Sequence, residues 1–247
     1  MELHGESATL STEEKKDVIK FVTNKVNKRI PVIAGTGSNN TKLSIEMSKY
    51  AQSVNVDGLL LVTPYYNKTT QSGLYNHFSI IASNVDIPII LYNVPSRTGL
   101  NITVDTLLRL SKIKNIAGIK EASNDISQIS QIVSKVPHDF CVYSGNDDQI
   151  LPILSLGGVG VISVLANILP KETHDICDSF FMGDINKSRN LQLKYMDLIK
   201  KLFIEVNPIP IKEAMNILEF NVGDCRPPLY NMETKNKKLL IDSLKNI

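Results

Sequence analysis

Six short apolar runs, rich in β-branched residues, recur through the first two thirds of the chain, and each is followed by a longer amphipathic stretch. The runs are Ile30 to Ala34, Gly58 to Val62, Pro88 to Tyr92, Ile116 to Lys120, Phe140 to Ser144 and Val159 to Val164. Their apolar character is continuous rather than alternating. That is the pattern of strands covered on both faces, and so of a parallel sheet. The stretches between them, Thr12 to Asn27, Thr41 to Gln52, Gly73 to Ser83, Val104 to Leu110, Asp125 to Val133 and Asp148 to Ser155, carry helical spacing. Ser11 and Glu14 form an S-x-x-E capping box at the first of these. A βα repeat with right-handed crossovers makes every strand parallel, which predicts an α/β fold of the (β/α) barrel kind. Rossmann-like winding is the competing arrangement, but no G-x-G-x-x-G follows a strand. From Pro170 the rhythm changes to helices alone, over Lys171 to Met182, Lys187 to Ile204 and Pro210 to Leu218. The expected division is therefore a barrel over 1–169 and a carboxy-terminal helical region over 170–247 packed on it.

Composition narrows the class of partner. Lys and Arg number 27 against 25 Asp and Glu, with no basic block and no acidic tail, so charge gives no footing for nucleic acid or a membrane surface. A small molecule is the expected partner. The three cysteines, Cys141, Cys177 and Cys225, form no C-x-x-C and have no histidine at ligand spacing, which fits a reducing compartment and no metal site. No apolar stretch reaches the ~18 residues of a membrane span, and the amino terminus lacks an apolar signal core, so the sequence reads as cytoplasmic.

Barrel chemistry belongs at the carboxy ends of the strands. Here those ends read GTGSNN, TPYYNKT, NVPSRTG, EASND, GNDD and LANILP, and one run closes on a lysine, Lys120. A lysine after an apolar run ordinarily snorkels to water. If it stays inside, burial favours the neutral amine, which can attack a ketone and form an imine that serves as an electron sink. Tyr92 closes the preceding run and would lie beside Lys120 across one strand spacing of ~4.8 Å, where its phenol could pass protons. Arg97 follows in the loop Pro-Ser-Arg-Thr-Gly, a planar fork suited to two-bond capture of a carboxylate.

The stretches GESATL (5–10), RIPVIAGTG (29–37), TPYYN (63–67), ILYNVPSRTG (90–99), IAGIKEAS (116–123), SGND (144–147), GVISVLAN (160–167) and NPIPIK (207–212) resemble, in order, the dihydrodipicolinate synthase branch of the pyruvate-dependent class I aldolases. That superfamily also holds N-acetylneuraminate lyase and the keto-deoxy-sugar aldolases. The resemblance implies that Lys120 forms the Schiff base with pyruvate, with no other cofactor, and that Tyr92 shuttles protons. It implies that Arg97 receives the carboxylate of aspartate semialdehyde and that backbone groups around Gly145 and Ile162 line the pyruvate pocket. Tyr66 would complete the relay by crossing into a neighbouring subunit's site, within a homo-oligomer expected to be a dimer of dimers. The implied product is 4-hydroxy-tetrahydrodipicolinate, on the route to diaminopimelate and lysine. Arg97 separates the branches, because sialic acid lyases take an uncharged sugar.

The chain also departs from the family pattern. Members of the branch begin with a strand and helix and a second strand that leads into a G-T-T-G-E-S type loop, whereas this chain joins at Gly5-Glu6-Ser7. The expectation is an incomplete barrel that lacks the first βα unit and most of the second strand, on the order of 40 residues. Leu3 and His4 stand where the loop's two threonines would be, so the proton relay is interrupted and turnover by this chain is expected to be weak. Residues matching the effector pocket of lysine-inhibited relatives are Ser7, Ala8, Asn39 and Tyr65, but Leu43 replaces an acidic residue, which predicts little lysine inhibition. The competing functions are a pyruvate aldolase acting on a sugar acid, and a non-catalytic truncated paralogue or fragment.

Overall fold

A computed structural model of the chain describes residues 6–245, which fall into two compact units. The first comprises Ser11–Gly145 with Leu156–Val159; the second comprises Asn146–Ser155, the chain from Gly160 onward and the segment around Glu6. The expected residues at Leu3 and His4 lie outside the described range.

The first unit repeats strand, loop and helix: α1 (Thr12–Val26), β1 (Ile33–Gly35), α2 (Thr41–Ser53), β2 (Gly58–Val62), α3 (Gln71–Ala82), β3 (Ile89–Asn93), the short α4 (Pro95–Thr98), α5 (Val104–Leu110), β4 (Ile116–Glu121), α6 (Ile126–Val133) and β5 (Cys141–Ser144). Strands β1 to β5 are parallel and lie in sequence order. Four of the helices that follow the strands, α2, α3, α5 and α6, are capped by the last polar residue of the preceding loop. Asn40 accepts from Leu43 N, Thr70 from Gly73 N, Thr103 from Thr106 N and Asp125 from Gln128 N. These bonds satisfy backbone donors that the first helical turn leaves open. At α1 both halves of the Ser11–Glu14 capping box are present.

Side chains alternate across the sheet, so the register separates two faces. On one, the row Leu61, Leu91, Ile119 and Val142 is sealed, with exposures of 0 to 2%. Leu74, Phe78 and Ile81 of α3 and Leu107 and Leu110 of α5 are equally buried, and each such side chain removed from water contributes about 1.5–3 kcal/mol. The opposite face carries the row Val62, Tyr92, Lys120 and Tyr143. Gly118 lies two residues before Lys120 on this face. A Cβ there would come within 2.5 Å of Cys141 O, so β4 approaches β5 as closely as it does only because Gly118 has none.

The second unit holds α7 (Ile150–Ser155), the two-residue strand β6 (Gly160–Val161), α8 (Pro170–Phe181), α9 (Ile185–Lys194), α10 (Met196–Lys201), α11 (Ile209–Ile217) and α12 (Thr234–Leu244). Its core gathers Leu165, Tyr195, Leu198, Leu202, Ile211 and Leu240. The buried Asp147 organises the first part of the unit: its Oδ2 accepts from Val164 N and Leu165 N at 3.0 and 2.9 Å, and its carbonyl accepts from Gln192 Nε2 at 2.9 Å.

Three expectations are corrected. The first strand starts at Ile33 rather than Ile30, because the Asp57 carboxylate takes the Val32 amide at 2.8 Å before the ladder begins. The last strand stops at Val161 rather than Val164, because Asp147 claims the amides of Val164 and Leu165 and turns the chain into a 3-10 segment. The helix expected over Lys187 to Ile204 is two helices that meet at Tyr195, where φ −93° and ψ 3° leave helical geometry and the ring is buried in the core. Among the described residues no helix is long and apolar enough to cross a membrane.

Candidate active site

Parallel pairing of β3 with β4 sets Tyr92 opposite Lys120 and Asn93 opposite Glu121. The two chemistry-bearing side chains therefore leave the same face one strand apart. Lys120 does not snorkel: it is 2% exposed, and its Nζ stands 4.2 Å from the centroid of the Tyr92 ring. Pairing of β4 with β5 puts Tyr143 opposite Lys120 on the other side, so the amine rises between two tyrosine columns. Burial, and then the neighbouring Cys141 thiol, push the Tyr143 phenol above its ordinary pKa.

Gly145 closes this pocket by having no side chain. Its amide donates to Glu121 O at 2.7 Å, and a Cβ on it would meet Ala122 Cβ at 2.8 Å, Glu121 O at 3.0 Å and Lys120 Cγ at 3.2 Å. The Lys120 stem thus lies against bare backbone, and small polar groups of a ligand can reach that backbone.

Arg97 sits in α4 directly after β3, exposed, with Gly99 capping the turn at φ +66°. The loop around it is held from beneath. Thr63 Oγ1 donates to Thr98 Oγ1 at 3.1 Å, and Thr98 Oγ1 accepts the Leu100 amide at 3.2 Å. Tyr66 behaves differently. It is 93% exposed and holds a left-handed φ of +69°, a conformation that costs a non-glycine residue about 1–3 kcal/mol. So exposed a ring takes no part in the pocket of a nearly sealed amine within one chain. Ile162 belongs to the second unit, half-buried and just beyond β6.

Two groups near the amine escaped the sequence reading. Tyr143 was in a recognised strand, and counting back from each strand end would have aligned it with Lys120. Glu121 had been assigned to the loop after Lys120, but β4 runs through it and its carboxylate is 0% exposed. It accepts from Asn93 Nδ2 at 3.0 and 3.1 Å and from Ser123 N at 2.9 Å. Burial holds this carboxyl above its ordinary pKa, and the hydrogen bonds from Asn93, Ser123 and Gln128 offset only part of the rise.

Fold and site together define a class: a parallel α/β protein that presents a buried primary amine beside a phenol at the carboxy ends of its strands. The comparisons with known proteins place it within that class. The model of the dihydrodipicolinate synthetase family matches residues 4–247. The 4-hydroxy-tetrahydrodipicolinate synthase of Clostridium perfringens (strain SM101 / Type A) is 59% identical over 241 residues, which is 98% of this chain and 83% of that protein. The crystal structure of dihydrodipicolinate synthase from Aquifex aeolicus superposes with a TM-score of 0.97 at 44% identity, covering 99% of this chain and 84% of its own. The chloride-inhibited dihydrodipicolinate synthase of Acinetobacter baumannii, complexed with pyruvate, gives a TM-score of 0.96 at 42% identity with the same coverage, 99% and 84%. The chain belongs to the dihydrodipicolinate synthetase family.

Proposed function

We propose that this chain is a lyase of the class I aldolase type that condenses pyruvate with aspartate semialdehyde to 4-hydroxy-tetrahydrodipicolinate, in the pathway to diaminopimelate and lysine. The observation that carries the reading is the Lys120 amine, 2% exposed and 4.2 Å from the Tyr92 ring. In its neutral form that amine bonds to C2 of pyruvate. The ketone oxygen leaves as water, with Tyr92 supplying and recovering the proton. The imine then lets the adjacent methyl carbon give up a proton to solvent through Tyr92, and the enamine so formed attacks an aldehyde. The imine is the electron sink, so the reaction calls for no metal and no separate cofactor.

Pyruvate would rest against the bare backbone at Gly145; the backbone at Ile162 is proposed as a pyruvate contact from the family resemblance alone. Arg97 would take the carboxylate of the aldehyde through its fork. Tyr66 is assigned to the site of a neighbouring copy within a dimer of dimers. A left-handed, 93% exposed tyrosine between the exposed Tyr65 and Asn67 supports a ring held out for a partner. We read the scaffold as a (β/α) barrel built here in part. In support, among the described residues β1 is the end strand of the sheet, and its Ile33 stands 44% exposed.

The test is a panel of aldehydes with pyruvate as the common donor. Hydrogen bonds to a charged group are worth about 1.5–3 kcal/mol, so Arg97→Ala should raise KM for aspartate semialdehyde by roughly 10- to 100-fold and leave uncharged aldehydes unaffected. Equal or better turnover of sugar aldehydes by the parent chain would assign it to a sugar-acid aldolase instead.

A further inference from the structure

The chemistry proposed above uses residues on one face of the sheet, but a buried and extensively bonded carboxylate next to it faces the other way. Glu121 and Asn93 are register partners at the ends of β4 and β3, each 0% exposed, and each immediately follows a reacting residue, Lys120 and Tyr92. A buried carboxylate is costly unless fully bonded, and this one is met by a set of donors. Asn93 Nδ2 donates to both oxygens, Ser123 N donates to Oε1 at 2.9 Å, and Gln128 Nε2 reaches Oε2 at 3.5 Å. Asn93 extends the set in the other direction. Its Nδ2 also donates to Asn101 Oδ1 at 2.8 Å, its Oδ1 accepts the Ile102 amide at 3.0 Å, and its carbonyl accepts the Ala122 amide at 2.9 Å. Asn101 Nδ2 then donates to Gln128 Oε1 at 2.7 Å. The loop that carries Arg97 leaves the sheet at Asn93 and returns at Asn101 and Ile102, so this one network fixes both of its ends.

We propose that Glu121 is a positioning residue whose carboxylate, through Asn93, Asn101 and Gln128, holds the Lys120 strand, the Tyr92 strand and the Arg97 loop in one fixed geometry. The network meets no substrate. Its hydrogen-bond polarity dictates its composition: Asn93, Ser123 and Gln128 all point donors at Glu121, so only a group that accepts on both oxygens fits between them. A glutamine at 121 is the same shape but turns an NH2 toward one of those donors. A paired exchange, Asn93→Asp with Glu121→Gln, restores one carboxylate facing one amide across the strands. Asn101 bonds Asn93 and Gln128 and makes no bond of its own to Glu121.

The inference rests on the imine reading for its catalytic consequence, so the experiment combines readouts with and without chemistry. Amide hydrogen exchange is measured at Ser123 and Ile102, alongside the rate of borohydride trapping of pyruvate and KM for aspartate semialdehyde. In Glu121→Gln, exchange at Ser123 should rise and trapping should slow, each roughly tenfold or more, the loss expected when a bond to a charged acceptor is broken. The double variant remakes the amide–carboxylate pair across the strands but not the Asn93 bond to Asn101 Oδ1, so it should recover part of both losses. Asn101→Ala leaves the Asn93 and Ser123 bonds to Glu121 in place, so it should raise the aldehyde KM several-fold while slowing trapping less than Glu121→Gln does, a split that general destabilisation would not produce. A folded Glu121→Gln that traps pyruvate at the parent rate overturns the proposal, as does a double variant no faster than the single one. Should Glu121→Gln fail to fold, the aldehyde KM of Asn101→Ala decides, and an unchanged value overturns it. If the parent traps no pyruvate, the imine reading falls, and exchange at Ser123 and Ile102 alone then sustains or overturns the positioning role.

Discussion

Replacing Gly145 with alanine tests the pocket's geometry by adding a single methyl group. That methyl would sit 2.8 Å from Ala122 Cβ, 3.0 Å from Glu121 O and 3.2 Å from Lys120 Cγ, against the ~3.5–4.0 Å that carbon atoms prefer. The two tightest neighbours are fixed to the backbone of β4 and its exit, so that backbone must shift, and it carries Lys120 with it. Overpacking of this kind costs about 1–3 kcal/mol of stability. A 1 Å misplacement of a reacting group can cost 100-fold, so a shift of about half that should slow pyruvate trapping at Lys120 roughly tenfold. The matched control is Gly183→Ala, at φ +83° with no atom within 4 Å of the new Cβ. There a left-handed alanine costs about 1–2 kcal/mol through the backbone alone. Urea midpoints and trapping rates for both variants separate the effects. The prediction is comparable loss of stability in both and loss of trapping in Gly145→Ala alone. A Gly145→Ala protein that traps at the parent rate, or a Gly183→Ala protein that loses trapping equally, refutes the reasoning.

Buried His77, whose Nδ1 lies 2.8 Å from Thr41 Oγ1, is held neutral, its pKa lowered from 6.5 to about 4 by burial. An unfolded histidine protonates near 6.5 and the folded one does not, so stability should fall as pH drops below 6.5, with a ceiling of about 3 kcal/mol reached near pH 4. Urea midpoints between pH 7 and 4.5 should show this slope, and a His77→Gln variant should flatten it; an equal slope in both would remove His77 as the cause. Asp147→Ala removes the one oxygen that accepts the amides of Val164 and Leu165, and should cost about 1–3 kcal/mol for each amide left unmet; a change in urea midpoint equivalent to less than about 1 kcal/mol would contradict that. The first turn of α2 carries no acidic residue and has Leu43 in it, so calorimetry should detect no lysine binding at micromolar concentration, and a micromolar isotherm would contradict the expectation.

The fold class and the placing of Lys120 beside Tyr92 were legible because both depend on strand ends. A continuous apolar run fixes where a parallel strand lies, its last residue fixes register to within one position, and Tyr92 and Lys120 are each the last residue of such a run. What was not legible came from side chains that claim backbone groups at a distance. Nothing in the local pattern shows Asp147 taking the amides of Val164 and Leu165, so the last strand was read too long, and the Asp57 carboxylate shortened the first strand in the same way. Helix α12 was missed because its buried residues, Leu240, Ser243 and Leu244, are preceded by a polar run that hides the period. Glu121 was read as loop because a charged residue after an apolar run looks like the end of a strand; only the Asn93 amide opposite explains why β4 continues through it.

The central claim is that the Lys120 amine condenses with a keto acid. Incubation with pyruvate and borohydride, followed by proteolysis and mass spectrometry, tests it directly. The account predicts one reduced pyruvate adduct, located on the peptide bearing Lys120 and abolished by Lys120→Arg. No adduct on the folded chain, or an adduct that persists in Lys120→Arg, would contradict it.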